Sequence, residues 1–329
     1  MRELQGPVLA YDIGATWIRA AIVAERNGNI EILARNKVRT KGDTPEEFRE
    51  NFEEVLQGIP RDFLREIKGI GIGSIGPMDL KRGILTNPPN IKAKNIDLKY
   101  IMSKLFEGKP VYLANDCVAG ALGEYFYGSG RGFDNIVYIT ISTGIGAGVI
   151  VDGEPLVGKD GNAHEIGHLV IDRSIGIKCS CGGIGHWEGM CSGSGIPKLV
   201  EYIASKKRYE GSKLQKMLSE RSITAVEVFE SYYTRDPLAV DVIEECNEIN
   251  AAGVASVINA YDPEIVILGG SVVLNNRWIV DEIRRRVHKY SINRLPRIEV
   301  TRFEDDIVII GAAALILGEY NKKKFFRIV

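Results

Sequence analysis

One pattern occurs twice in this chain and constrains its fold more than any other feature: a short apolar strand, a turn that contains glycine, and a second apolar strand. The first occurrence spans residues 8–23 with Gly14 at the bend, and the second spans residues 136–151 with Gly144 and Gly146 in its turn. Each predicts two adjacent strands joined by a glycine bend. The recurrence favours an internal duplication, in which two similar domains face a cleft.

The rest of the chain alternates between strand-like and helix-like spacing. Thr44 and Pro45 suit the N-cap and first position of a helix that continues to Leu56. The length of 329 residues agrees with two domains at roughly 150 residues each. This alternation predicts an α/β protein with catalytic groups at strand ends. Further strands are predicted at 67–72, 111–114, 169–171 and 265–268, and further helices at 118–127, within 195–260 and at 311–320.

Charge and composition exclude several classes of protein. The 42 Lys and Arg residues balance 43 Asp and Glu residues, so the basic surface needed to bind bulk nucleic acid is not expected. The longest uncharged run, between Asp134 and Asp152, is shorter than the ~18 to 20 residues of a membrane helix and is rich in glycine. We therefore expect a soluble, cytoplasmic protein with neither a nucleic-acid nor a membrane partner.

The glycine turns indicate a phosphate-binding function. A glycine turn after a strand exposes several backbone N–H groups at one point, which favours anions such as nucleotide phosphates. Asp12 and Thr16 flank the first turn, Thr143 precedes Gly144 in the second, and Gly269-Gly270 follows the late strand. An Asp in this place can hold Mg²⁺ through water, and threonine hydroxyls can bond phosphate oxygens. None of the turns has the Walker pattern, and simple hairpin turns are the alternative.

A carboxylate at a strand end is the candidate base. Transfer of a phosphoryl group to a hydroxyl needs a group that accepts or orients the hydroxyl proton. Asp116, beside Asn115, follows the strand at 111–114 and could serve. The alternative is that Asp116 only caps the helix that begins at Val118.

Cysteine and histidine spacing indicates a metal site. Cys179 and Cys181 are followed after four residues by His186, and His168 lies ten intervening residues upstream of Cys179. Two thiols and two imidazoles form a closed tetrahedral set, which is typical of structural zinc. Four unligated residues in a loop are the alternative. The other cysteines, Cys117, Cys191 and Cys246, are interpreted as core residues.

Residues 164–168 also match the His-Glu-x-x-His pattern of zinc proteases. That pattern works only on a helix, where positions i and i+4 share a face. Gly161 and Gly167 flank or interrupt the segment, and residues 169–171 have strand character. The sequence therefore argues against a protease.

Taken together, these motifs resemble the ROK family (repressors, open reading frames and kinases) of sugar kinases, in the actin, Hsp70 and hexokinase superfamily. The resemblance runs from about residue 8 to about residue 318. It implies two ribonuclease-H-like domains of the actin-like ATPase type flanking a cleft, with a zinc-binding loop in the second. The implied domains are 1–116 and 117–310, with a C-terminal helix, about 311–324, that packs back on the first.

The resemblance also implies roles for individual residues. The family's zinc pattern has a third Cys where this chain has His186, and His164 stands where the family usually has a small residue. Asp116 is implied to be the catalytic base. The implied sugar-binding residues are Gly76, Asn90, Asn115, Asp116, Glu165, His168 and Glu188, and the implied nucleotide-binding residues are Asp12, Gly14, Thr16, Thr143, Gly144, Gly146, Gly269 and Gly270.

The expected activity is transfer of the ATP γ-phosphoryl group, with Mg²⁺, to the 6-hydroxyl of glucose or of several hexoses. N-acetylmannosamine, N-acetylglucosamine and fructose are alternative substrates, and another nucleotide or polyphosphate is an alternative donor. A sugar-sensing regulator is the non-enzyme alternative, although the 11 residues before Asp12 leave no room for a helix-turn-helix domain. By analogy with the family, a homo-oligomer, dimer or tetramer, is expected.

Overall fold

A computed structural model describes residues 5–88 and 91–319. Contacts between residues divide the chain into two units. The first unit draws its residues from Met1–Tyr138, Gly148–His164 and Thr301–Val329, and the second from Ile139–Ala147 and Glu165–Val300.

Strands and helices alternate along most of the described chain, as the sequence predicts. The strands are β1 (Gln5–Ile13), β2 (Trp17–Arg26), β3 (Asn29–Arg39), β4 (Ile70–Ser74), β5 (Met78–Asp79), β6 (Ile84–Leu85), β7 (Ile96–Asp97), β8 (Val111–Asn115), β9 (Ile136–Ile141), β10 (Ile145–Val151), β11 (Glu154–Pro155), β12 (Ile265–Gly269) and β13 (Arg297–Val300). The helices are α1 (Pro45–Gln57), α2 (Arg61–Glu66), α3 (Leu98–Leu105), α4 (Asp116–Tyr127), α5 (Trp187–Cys191), α6 (Ile196–Lys206), α7 (Lys213–Glu220), α8 (Ala225–Tyr233), α9 (Pro237–Tyr261), α10 (Ser271–Asn275), α11 (Trp278–Arg286) and α12 (Ile307–Leu317).

The first unit contains a five-stranded sheet in the order β3-β2-β1-β4-β8. β2 is antiparallel to β1 and β3, whereas β4 is parallel to β1 and β8. Alternate residues of β1 enter different cores: Leu9 and Tyr11 join one cluster, and Val8 and Ala10 join another. This is the expected result of a strand's two-residue period. Both faces of β1 are therefore covered by apolar side chains.

Helix α12 covers one of these faces and touches the strands through backbone atoms. A Cβ atom at Gly71 of β4 would lie 1.7 Å from the Ala312 oxygen, and one at Gly311 would lie 1.8 Å from the Ala119 oxygen of α4. Only glycine permits such an approach. The helix begins at Ile307, four residues before the predicted start, because Ile307, Ile309 and Ile310 are buried and pack into the core as part of the helix. The part of the prediction beyond residue 319 lies outside the described residues.

A second five-stranded sheet has the order β11-β10-β9-β12-β13. Its strands follow the same sequence of neighbours as the first sheet, with the glycine-turn pair β9 and β10 in the places of β1 and β2. The parallel pairing of β12 with β13 corresponds to that of β4 with β8. This likeness supports the predicted duplication, and the mixed sheets confirm the α/β class.

The segment 169–171 does not have the structure that its sequence predicts. The predicted strand at 169–171 is wrong, since Val170 forms only an isolated bridge with His186. Among the described residues, no helix is both long enough and apolar enough to cross a membrane.

Candidate functional site

The first glycine turn joins β1 to β2 through residues 14–16, and Asp12 lies just before it. The Asp12 side chain is only 14% exposed and pairs with Arg19 of β2, with Nη1 and Oδ2 3.2 Å apart. Burial raises the pKa of Asp12 to about 7; Arg19 opposes this shift, and the Asp116 carboxylate adds to it. The two predicted carboxylates, Asp12 and Asp116, are therefore close enough to influence one another's charge.

Strand register explains how these groups come together. In the parallel strands β1, β4 and β8, Ile13 pairs with Ser74, and Ser74 pairs with Asn115. The carboxyl ends of parallel strands meet at one edge of a sheet, which is where α/β proteins bind ligands. Asp12 and Asp116 each adjoin one of these paired residues.

The start of α4 settles which residue caps the helix. Asn115 is the N-cap, and its Oδ1 accepts a hydrogen bond of 2.9 Å from the Cys117 amide. Asp116 lies in the first turn, and its Oδ1 accepts from the same amide at 2.8 Å. The helix thus begins two residues before Val118, and Asn115 supplies the cap that the alternative interpretation assigned to Asp116.

The loop after β4 is held beside Asn115. Asn162 accepts from the Met78 amide at 2.9 Å and donates to the Met78 carbonyl at 2.7 Å. A Cβ atom at Gly76 would lie 3.5 Å from Asn162 Oδ1 and 3.6 Å from Asn115 Nδ2, so Gly76 adjoins both amides. Sequence reasoning missed Asn162, because no local motif marks a loop residue that fixes a distant backbone. The predicted sugar ligand Asn90 lies outside the described residues.

The second glycine turn joins β9 to β10 and belongs to the second unit. Gly193 N donates to Ser142 O at 2.7 Å, and the Ser194 hydroxyl donates to Thr143 O at 2.8 Å. Both bonds come from the segment that follows α5. Ser142 and the predicted residue Thr143 are therefore held by a neighbouring loop, while the predicted residue Gly144 lies in the turn and Gly146 lies within β10.

The predicted nucleoside-side glycines adjoin this turn. Gly269 ends β12, and Gly270 has the left-handed φ of +86°. A Cβ atom at Gly270 would lie 2.5 Å from the Ile141 oxygen. The hydroxyl oxygens of Ser271 and Ser142 are 3.3 Å apart. The structure thus brings two of the three predicted nucleotide-binding segments together in the second unit.

Glu188, in the first turn of α5, connects the second glycine turn to the cysteine loop. Its Oε2 accepts from the Ile145 amide at 3.0 Å, and its Oε1 accepts from Ser180 Oγ at 3.2 Å and from Cys179 Sγ at 3.4 Å. A Cβ atom at Gly144 would lie 2.6 Å from Glu188 Oε2. A side chain at position 144 would therefore displace this carboxylate from its present position.

The four predicted metal ligands form one cluster, which we call the Cys/His cluster: His168, Cys179, Cys181 and His186, whose ligand atoms all lie within 4.8 Å of one another. Cys179 Sγ is 3.8 Å from His168 Nδ1, and Cys181 Sγ is 3.2 Å from His186 Nδ1. Ligands of a tetrahedral zinc ion, with bonds of about 2.3 Å to sulfur and 2.0 Å to nitrogen, stand about 3.5 Å apart. The donor set and its spacing therefore fit zinc.

His168 presents different neighbours to its two ring nitrogens. Nδ1 faces Cys179, whereas Nε2 is 3.9 Å from Glu165 Oε2. Burial raises the pKa of Glu165, with His168 opposing the shift and Glu188 adding to it. His168 can thus serve the cluster with one nitrogen and act as a polar contact with the other.

The segment 164–168 does not form the helix of a zinc protease. His164 has the left-handed φ of +53°, and its Nε2 hydrogen-bonds to the Leu156 carbonyl. Only Ile166–His168 is helical, as a single 3-10 turn. His164 and His168 therefore do not share the face of an α-helix, as the protease arrangement requires.

Comparisons with known proteins identify the family. The family model described as "ROK family" matches residues 8–319 of this chain. The chain belongs to the ROK family.

Two glucokinases match nearly the whole chain. It is 41% identical over 315 residues to a glucokinase of Aeropyrum pernix, covering 94% of this chain and 96% of that one. It is also 41% identical over 308 residues to a glucokinase of Pyrobaculum calidifontis, with coverages of 93% and 94%.

A solved ROK-family structure shows the same fold. The crystal structure of a glucokinase from Streptomyces griseus, in complex with glucose and AMPPNP, superposes with a TM-score of 0.77 at 29% identity and covers 94% of this chain and 99% of that one. The resemblance and the actin-like ATPase fold predicted from the sequence are thereby confirmed.

Proposed function

We propose that this ROK-family protein is a glucokinase that transfers the γ-phosphoryl group of ATP to the 6-hydroxyl of glucose. The observation that carries this proposal is the 41% identity, over more than nine-tenths of the chain, to two glucokinases. The glucose and AMPPNP in the Streptomyces griseus enzyme support the same substrate pair. The two glycine turns supply the backbone donors that a nucleotide requires.

Asp116 is proposed to accept the proton of the 6-hydroxyl as the oxygen attacks the γ-phosphorus. It lies at the carboxyl edge of the first sheet, where Asn115 and Gly76 also lie. A fixed carboxylate at this point orients the hydroxyl and removes its proton, and positioning supplies much of the remaining catalysis.

Asp12 is proposed to hold Mg²⁺ through water, while residues 14–16 and 143–144 contact phosphate oxygens and Gly269-Gly270 faces the nucleoside. Mg²⁺ supplies charge neutralisation of the phosphates when bound. The carboxylate of Asp12 suits such a role because it is a hard oxygen ligand. Burial also disfavours the negative charge of the Asp12 carboxylate, and a bound cation would stabilise that charge.

The proposed sugar ligands are Gly76, Asn90, Asn115, Asp116, Glu165, His168 and Glu188. Zinc is proposed to bind the Cys/His cluster with no open position, which gives it a structural role. One nitrogen of His168 would bind the metal while the other bonds a sugar hydroxyl, so that the cluster orients a substrate ligand.

Several broader predictions stay proposals. We propose a domain boundary at residue 116 and a cleft that holds the sugar. We also propose that ATP is preferred to other phosphoryl donors, that the protein forms a homo-oligomer, and that it is cytoplasmic. Substrates other than glucose, such as N-acetylmannosamine, N-acetylglucosamine and fructose, are ranked by the same assay that tests the activity.

The test is a coupled ADP-release assay with Mg-ATP and a panel of these sugars. Asp116→Asn should lower kcat with glucose by about 10³-fold, because the amide cannot accept the proton. Asp62→Asn, at a carboxylate 92% exposed in α2, is the control and should match wild type. No sugar-dependent ADP release by wild type would overturn the proposal, and sugar binding without turnover would favour the regulator.

A further inference from the structure

Thr40, the residue after β3, contacts the first glycine turn twice. Its amide donates to the Thr16 carbonyl at 3.1 Å, and its hydroxyl donates to the Gly14 carbonyl at 2.8 Å. Thr40 belongs to none of the sequence motifs. Its two bonds nevertheless end on the peptide units that carry the predicted phosphate contacts.

The two bonds have different origins. Arg39 pairs with Trp17 in the β2–β3 ladder, so the Thr40 amide bond to Thr16 extends that ladder by one residue. The hydroxyl bond to Gly14 is additional and belongs to the side chain alone. A substitution that removes the hydroxyl therefore tests this bond without breaking the strand pairing.

The hydroxyl bond fixes the direction of a neighbouring amide. In a trans peptide the C=O and N–H groups point in opposite directions. The Gly14 carbonyl is drawn toward Thr40, so the Ala15 N–H of the same peptide unit is directed away from Thr40. The turn is closed on its other side by the Gly14 amide, which donates to the Trp17 carbonyl at 3.0 Å.

We propose that Thr40 is a positioning residue for phosphoryl transfer, which orients the Gly14–Ala15 peptide so that its N–H is presented to the nucleotide phosphates. Without the bond, the peptide is free to rotate and part of the nucleotide's binding energy is used to reorder it. A β-branched side chain suits the task, because its χ1 angle is restricted and the hydroxyl stays aimed at the carbonyl. The proposal rests on the proposed kinase function.

The experiment compares Thr40→Val, which keeps the shape but loses the donor, with Thr40→Ser, which keeps the donor. Each is assayed for KM of Mg-ATP, KM of glucose and kcat, and for AMPPNP binding by titration calorimetry. Thr40→Val should raise the KM of Mg-ATP and the Kd of AMPPNP by about 3- to 10-fold, with the KM of glucose within about two-fold of wild type. Thr40→Ser should recover most of the loss.

The control is Thr234→Val, which removes a hydroxyl bond of 3.0 Å to the Ser231 carbonyl at the surface end of α8. It should leave both nucleotide constants unchanged. Equal constants in Thr40→Val and wild type would overturn the role of Thr40, as would a uniform loss of activity with a lowered melting temperature and no selective change for the nucleotide.

The binding and activity measurements on wild type distinguish failure of the Thr40 proposal from failure of the kinase proposal. If wild type binds AMPPNP but phosphorylates no sugar, the kinase proposal fails, and the calorimetric comparison still decides the role of Thr40 in nucleotide binding. If wild type binds no nucleotide, both proposals fail.

Discussion

At the residue scale, the Cys/His cluster contains two thiols and two imidazoles, and this composition sets its response to protons and metal. Burial raises the pKa of the Cys179 thiol, which therefore stays protonated at neutral pH unless a metal replaces its proton. Metal binding at such a site releases protons and weakens as the pH falls.

Removal of one thiol should remove the metal. We predict that Cys181→Ser lowers bound zinc from about one equivalent to well below half, measured by plasma mass spectrometry on protein purified without chelators. His186→Cys should retain zinc, because thiolate is an equally good ligand at the position where Nδ1 lies 3.2 Å from Cys181 Sγ.

Cys246→Ser, at a buried cysteine of α9 outside the cluster, is the matched control for loss of a thiol. Undiminished zinc in Cys181→Ser, or absence of zinc from wild type grown with the metal, would contradict the proposed site.

Candidate residues that lie in local sequence motifs can be recognised from the sequence. Residues that hydrogen-bond to backbone groups far along the chain cannot. Asp12, Gly14 and the residues of the Cys/His cluster are recognisable as candidates because they belong to short sequence patterns. Thr40 and Asn162 fix loops 24 or more residues distant along the chain, and no spacing rule reports such bonds. These hydrogen bonds depend on the strand register and on the path of the loops, which the sequence does not give.

At the element scale, Asp236 holds the starts of two helices. Its Oδ1 accepts from the amides of Leu238 and Ala239 at the beginning of α9, and its Oδ2 accepts from the Lys213 and Leu214 amides at the beginning of α7. Burial by itself would raise the pKa of Asp236, but these amides and the Ser212 hydroxyl outweigh burial and lower it.

We predict that Asp236→Ala lowers the free energy of unfolding by about 3 kcal/mol at pH 7, measured by urea denaturation. Because the pKa of Asp236 is lower in the folded state, its contribution is present above the unfolded pKa of about 3.9 and is lost as the pH falls through the folded value. The difference between variant and wild type should therefore shrink toward pH 3.

Asp97→Ala is the control, since Asp97 caps only α3, through one bond of 2.8 Å to the Tyr100 amide. It should cost about 1 kcal/mol. Equal losses in the two variants would show that Asp236 acts at one helix only.

Element boundaries were less predictable than element types. The helix at Pro45–Gln57 has the Thr44 cap that the sequence indicates, because the cap and the proline are local signals. The start of α12 and the absence of a strand at 169–171 depend on what packs beside those segments, which composition does not report.

At the scale of the whole molecule, the first unit is assembled from three separate ranges of the sequence. Helix α12 comes from the last of them, and its Ile309, Ala312 and Ala313 share a buried cluster with Val8 and Ala10 of β1. The first strand and the last described helix therefore complete one another's core.

We predict that a chain ending after Asp306 is recovered mainly in the insoluble fraction, because one face of the first sheet would remain uncovered. The full-length chain keeps α12 and is the control, which should be soluble and melt cooperatively. Solubility on expression and thermal unfolding of any soluble material are the measurements. A soluble, cooperatively melting product that ends after Asp306 would contradict the prediction.

The same arrangement sets the order of events during synthesis. A ribosome makes β1 before the second unit and α12 after it, so the whole second unit is made between them. At roughly 5 to 20 residues per second, the apolar face of the nascent first sheet waits on the order of ten seconds or more for its cover. The unit whose strands are made first is therefore the last to be finished, and its exposed face is where a chaperone would be needed.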